Sequence, residues 1–175
     1  MDTGLIHIYC GDGKGKTTAA LGLAIRCAGH GGRVLFAQFL KERKTGELVS
    51  LSRIPTIAVL RGKGCEKFTF QMTPDELAAA KAMQGRLFQE IQDRVRRDAP
   101  DLLVLDEILG TCSLGLLDEK EVLRFLQNKP KKLEVVMTGR NPSQALLDQA
   151  DYISEICKRK HPFDKGIAAR VGIEE

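Results

Sequence analysis

Tryptophan is absent from this chain, and tyrosine occurs twice against seven phenylalanines. Its basic clusters, Lys129-Pro130-Lys131-Lys132 and Lys158-Arg159-Lys160-His161, therefore carry no interleaved aromatics. With a net charge of only +4, a nucleic-acid surface is not expected, because stacking platforms and a strong basic field are both missing. No apolar run approaches the roughly 18 residues of a membrane span, and Met1-Asp2-Thr3-Gly4 leads into the first apolar run without a signal-peptide pattern. A cytoplasmic protein without membrane contact is the expectation. The five cysteines, Cys10, Cys27, Cys65, Cys112 and Cys157, are odd in number and contain no C-x-x-C pair. That excludes a disulfide framework and the usual zinc spacings, leaving reduced and mostly buried thiols. The histidines His7, His30 and His161 are isolated, and none is read as a ligand. At 175 residues, 43% hydrophobic and 29% charged, the chain suits a single domain over residues 1–175.

Glycine, by contrast, is concentrated where it matters. Cys10-Gly11-Asp12-Gly13-Lys14-Gly15-Lys16-Thr17-Thr18 follows the apolar run Leu5 to Tyr9 and precedes the helix-forming run Ala19-Ala20-Leu21. In a P-loop, spaced glycines turn successive backbone N–H groups toward phosphate oxygens. A lysine then adds charge, and a hydroxyl at the helix N-terminus holds magnesium. Gly11, Gly13 and Gly15, then Lys16, then Thr17 supply those parts. The common spacing would put the first glycine at Cys10, whereas Gly11 comes one place later. Lys14 has two readings, a second phosphate cation or a solvated side chain.

Apolar runs at Leu5 to Cys10, Val34 to Phe39, Thr56 to Leu60, Leu102 to Leu105, Leu133 to Met137 and Tyr152 to Ile156 alternate mostly with helical patterns. This predicts a three-layer α/β/α fold with a mostly parallel sheet. Thr73-Pro74-Asp75-Glu76 has the makings of a capping box, and Leu77, Ala80, Met83, Leu87, Ile91 and Val95 then mark one buried helix face. Asp118 to Gln127 reads as another helix, and Asn141-Pro142-Ser143-Gln144 begins a further one.

Ligands of such sheets lie at the carboxyl ends of the strands. That rule selects Gly11 to Thr18, Gln38 to Lys41, Asp106-Glu107 and Thr138-Gly139-Arg140. Asp106 and Glu107 end an apolar strand, as the carboxylates of P-loop proteins do when they hold magnesium and its waters. Glu107 is either a further magnesium ligand or a base for water. Lys41 and Arg140 are strand-end cations, either phosphate partners or surface charges. Phe68 and Phe70 fall on one face of Lys67-Phe68-Thr69-Phe70-Gln71, suited to core packing or to an apolar ligand wall.

The modified loop resembles the form G-[N/D]-G-K-G-K-T-T of the P-loop corrinoid adenosyltransferases. Gln38-Phe39-Leu40-Lys41, Lys67-Phe68-Thr69-Phe70, Val104-Leu105-Asp106-Glu107, Thr138-Gly139-Arg140, and the tail from His161-Pro162-Phe163 to Gly172-Ile173-Glu174 resemble further segments in the same order. The resemblance implies transfer of the 5′-deoxyadenosyl group of ATP to Co(I) of a reduced corrinoid, with release of tripolyphosphate. It implies that Gly11, Asp12, Gly13, Lys14, Gly15, Lys16, Thr17 and Thr18 bind ATP, and that Lys16, Lys41 and Arg140 are catalytic cations. Thr17 and Glu107 would hold Mg2+. Phe68 and Phe70 would wall the lower face of the corrin, where tryptophan is more usual at the second position. A homodimer and a flavodoxin-like electron donor are also implied. Some members carry a longer leading segment that folds over the site, so closure here is expected to come from elsewhere or to be looser.

Overall fold

The computed structural model describes residues 3–40, 45–62 and 69–174. Six parallel strands form one sheet in the order β3-β2-β4-β5-β1-β6. These are β1 (Ile6–Cys10), β2 (Val34–Gln38), β3 (Ile57–Arg61), β4 (Leu102–Asp106), β5 (Glu134–Thr138) and β6 (Tyr152–Glu155). All six fall on the apolar runs of the sequence. Parallel neighbours require crossovers, and helices supply most of them. They are α1 (Lys16–Gly29), α2 (Gly46–Leu51), α3 (Pro74–Asp98), α4 (Ile108–Ser113), α5 (Glu119–Gln127) and α6 (Gln144–Leu147).

β2 and β4 are buried along their whole length, the signature of strands covered on both faces. Successive side chains divide between two cores, as the twofold strand period requires. Leu35, Leu103, Leu105, Val135 and Met137 join Phe88 and Ile91 of α3 on one face. Phe36, Val104 and Val136 meet Ala20 and Ala24 of α1 on the other. The result is the expected three-layer α/β/α arrangement.

α3 starts as its sequence predicts. Thr73 Oγ1 accepts the Glu76 N–H at 3.3 Å, and the Glu76 carboxylate accepts the Thr73 N–H at 2.8 Å. Its buried residues are Ala80, Gln84, Leu87, Phe88, Ile91 and Val95, whereas Leu77 and Met83 are only half-buried. The helix has 25 residues and is about 37 Å long, roughly twice the span of a five-residue strand, so the sheet cannot cover its whole length. Asp118 and Ser143 cap α5 and α6 through their side chains. β6, at the sheet edge, is exposed at every position.

β5 lies between β1 and β4. The glycine loop after β1 and the carboxylates after β4 therefore face one another across the end of β5.

Candidate active site

Beyond Cys10 the chain leaves β1 with Gly11 at φ 105° and re-enters helical geometry through Gly15 at φ 122°, both in the region where a side chain strains the backbone. α1 starts at Lys16 without a side-chain cap, and the N-terminus of such a helix suits an anion. Lys16 is buried to 8% exposure, and its Nζ donates to Gly13 O at 2.8 Å, folding the ammonium over the loop. Burial lowers its pKa first, and the nearby Arg140 guanidinium lowers it further. Two cations held together in this way are uncomfortable until an anion joins them.

Thr17 is fixed from below. Its Oγ1 donates to Asp106 Oδ1 at 2.9 Å, and the same oxygen accepts from Thr138 Oγ1 at 2.7 Å. Asp106 and Thr138 are fully buried. Thr138 Oγ1 also accepts the Glu107 N–H at 3.0 Å, so one hydroxyl from β5 ties both acidic positions to the loop. Gln38, at the end of β2 and also fully buried, sends Nε2 toward Glu47 Oε1 at 3.1 Å and Asp106 Oδ2 at 3.4 Å. Glu107 adopts φ 65° at the start of α4, a strained conformation for a side chain other than glycine and one that concentrates at functional sites.

These groups border a cavity of about 660 Å³. Asp12, Gly13, Lys14, Gly15, Lys16, Thr17, Thr18, Glu107 and Arg140 line it. Gly11 lies behind it: a Cβ there would meet Ile156 O at 2.5 Å. Lys41 and Phe68 lie outside the described residues, as does the Phe70 side chain. Sequence reasoning missed Glu47 and Ser50 of α2, together with His161 and Gly172, Ile173 and Glu174 of the C-terminal segment. The family-like tail was a signal for the last group, but nothing in its composition shows that it returns to the loop. Arg170 clamps Glu174 through Nε at 3.1 Å and Nη2 at 3.0 Å, holding that carboxyl at about 2. Of the two acids that the sequence places at the end of β4, Asp106 accepts from the Thr17 hydroxyl.

The donor set suits magnesium. It comprises hydroxyl and carboxylate oxygens, the ligands this hard cation prefers. Among the described residues no three acidic, cysteine or histidine side chains gather closely enough to hold a metal ion by themselves.

Fold and loop together define a P-loop nucleotide-binding protein. Among solved structures, the cytoplasmic domain of EssC superposes with a TM-score of 0.54 at 15% identity, covering 96% of this chain and 34% of that one. A KaiC-like protein from Pyrococcus horikoshii gives 0.51 at 18% identity, covering 91% and 75%. Those likenesses concern the fold. Residues 2–174 match the family described as ATP:corrinoid adenosyltransferase BtuR/CobO/CobP, and the chain belongs to that family. A corrinoid adenosyltransferase of Sinorhizobium is 33% identical, covering 99% of this chain and 81% of its own. That of Salmonella typhimurium is 34% identical, covering 99% and 86%. The activity is adenosyl transfer from ATP to a corrinoid, not the phosphoryl transfer that a P-loop alone would also allow.

Proposed function

We propose that the cavity between α1, Glu107 and Arg140 holds the triphosphate of ATP while the C5′ carbon is presented to Co(I) of a reduced corrinoid. The observation that carries this reading is the convergence of the buried Lys16 and the exposed Arg140 on one glycine loop. Co(I) is itself the nucleophile. Its electron pair forms the cobalt–carbon bond as C5′–O5′ breaks, and the electrons of the broken bond leave on tripolyphosphate. The protein needs no serine, cysteine or histidine nucleophile for this step. Its tasks are orientation and the neutralisation of charge growing on the leaving oxygen.

Lys16 and Arg140 supply fixed positive charge, with Lys41 as a third cation and Lys14 at the outer rim. The N–H groups of Lys14 to Thr18 are the remaining donors to phosphate. Thr17 and Glu107 hold Mg2+, with Asp106 orienting Thr17. When bound, that ion supplies further neutralisation of the phosphate oxygens. Glu107 is then a ligand and not a base for water. Phe68 and Phe70 form the apolar wall on the corrin's lower face, favouring cobalt without its axial base and so easing reduction to Co(I).

Residues 1–175 act as one cytoplasmic domain in this reading. Among the described residues no helix is long and apolar enough to cross a membrane. A flavodoxin-like donor is the proposed reductant. A homodimer is the proposed assembly, and the exposed Tyr152 and Ile153 on edge strand β6 are compatible with self-association. Phosphorus NMR of the reaction with MgATP and chemically prepared Co(I) tests the central step. Tripolyphosphate should accumulate in step with the cobalt–carbon product, whereas ADP and orthophosphate in its place would overturn it.

A further inference from the structure

Asp12 is an unfavourable residue to place in a phosphate loop, because its carboxylate repels a triphosphate. Its surroundings explain it. Asp12 Oδ1 accepts the Lys158 N–H at 2.8 Å, and this bond is the main cause holding the carboxyl below its usual range. The bond is one of a series. Ile156 N donates to Cys10 O at 2.8 Å, and Gly13 N donates to Ile156 O at 2.7 Å. Together they continue the pairing of β1 and β6 beyond Cys10 and Glu155, its last paired residues, into the loop itself.

This continuation consumes the Gly13 N–H, a donor that a cradle formed only by inward-facing amides would direct at phosphate. It also sets the glycine requirement: a Cβ on Gly13 would meet Ile156 O at 2.7 Å. Beyond Lys158 the same segment runs to His161 and then to Gly172–Glu174, which line the cavity. Arg140 Nη2 approaches the Asp12 carbonyl oxygen at 3.5 Å.

We propose that Asp12 is a positioning residue, which straps the outer half of the phosphate loop to the C-terminal segment through the Lys158 amide and touches neither phosphate nor metal. This rests on the reading of the cavity as the triphosphate site. The strap and simple charge repulsion predict opposite signs, which makes the test direct. Asp12→Asn keeps an acceptor oxygen and removes the charge, so it should bind tripolyphosphate at least as tightly as wild type. Asp12→Ala removes both, and its Kd should be about three- to tenfold weaker than that of the asparagine variant. The loss should appear in KM for ATP more than in kcat. Hydrogen exchange gives a readout independent of turnover: the Lys158 amide should exchange slowly in wild type and Asp12→Asn, and faster in Asp12→Ala.

Equal binding by the two variants, or unchanged Lys158 exchange in Asp12→Ala, overturns the strap. A failure of the site reading is separable, because Lys16→Ala would then bind tripolyphosphate normally. Loss of binding in Lys16→Ala together with equal binding by the two Asp12 variants sinks the strap alone.

Discussion

The two halves of the phosphate loop are held by different physics. On the helix side, Thr17 is fixed by a buried network in which Asp106 and Thr138 have no exposure. On the outer side, Gly11 to Gly13 lie against Ile156 and Lys158 through backbone contacts and an exposed carboxylate. A buried polar network is costly to break, since each orphaned group loses its solvation as well as its partner. Losing an exposed hydrogen bond costs less, because water can take the place of the missing partner. The helix side should therefore set whether the site exists, and the outer side how well it is arranged.

The largest effect belongs to Lys16. Lys16→Ala should reduce kcat for adenosyl transfer by a factor on the order of 10² or more, as with other groups that stabilise developing charge, while circular dichroism stays native. Near-normal transfer at saturating ATP would show that the phosphate site lies elsewhere.

Thr138→Val keeps the shape and deletes the hydroxyl joining β5 to both acidic positions. Unfolding in urea should register a loss of about 1–3 kcal/mol. An unchanged midpoint and slope would contradict the view that this network is the rigid half.

Glu107→Gln addresses the chemistry on that side. Loss of a metal ligand should lower transfer and be partly offset by raising magnesium, whereas loss of a catalytic base would not respond to the ion. A deficit insensitive to magnesium would remove Glu107 from the metal set.

A pH series sharpens the contrast further. Burial and Arg140 lower the Lys16 pKa, so the ammonium loses its proton at a lower pH than an ordinary lysine. Affinity for tripolyphosphate should accordingly be full below that point and fall as pH rises through it. Lys16→Arg keeps its charge across the same range and should lack this alkaline fall; the same fall in both proteins would assign it to another group.

The smallest perturbation is thiol labelling. Burial pushes the Cys112 thiol up to about 12 and also raises Cys10 and Cys27, whereas Cys157 is exposed beside the strap. Of these four, Cys157 should react first with a disulfide reagent. Faster labelling of Cys112 would mean that the helix side opens more readily than its burial implies.

Much of this architecture is legible in the sequence because it depends on local rules. The run from Leu102 to Asp106 needs only its apolar character to declare a buried strand, and Thr73 to Glu76 carries its own capping chemistry. Gly11 to Thr18 announces a phosphate loop because a close turn of backbone around an anion admits few other residues. Local rules fail where burial depends on a distant partner. Gln84 and Phe88 join the inner face of α3 although neither was in the expected stripe, because the packing face is wider than a minimal periodic pattern. Tyr152 to Glu155 looks as apolar at its start as the central strands, yet its place at the sheet edge leaves it exposed.

The sequence by itself determined the parallel α/β class, the strand positions, the loop chemistry and the family. Each follows from neighbouring residues, or from motifs in a fixed order. Only tertiary structure decided that Thr138 joins Asp106 to the loop, because β5 must insert between β1 and β4 to place it there. It alone brought Glu174 to the cavity and Lys158 to Asp12, 146 residues apart in the chain. Contacts at such separation are set by sheet order and chain return, which no local pattern encodes.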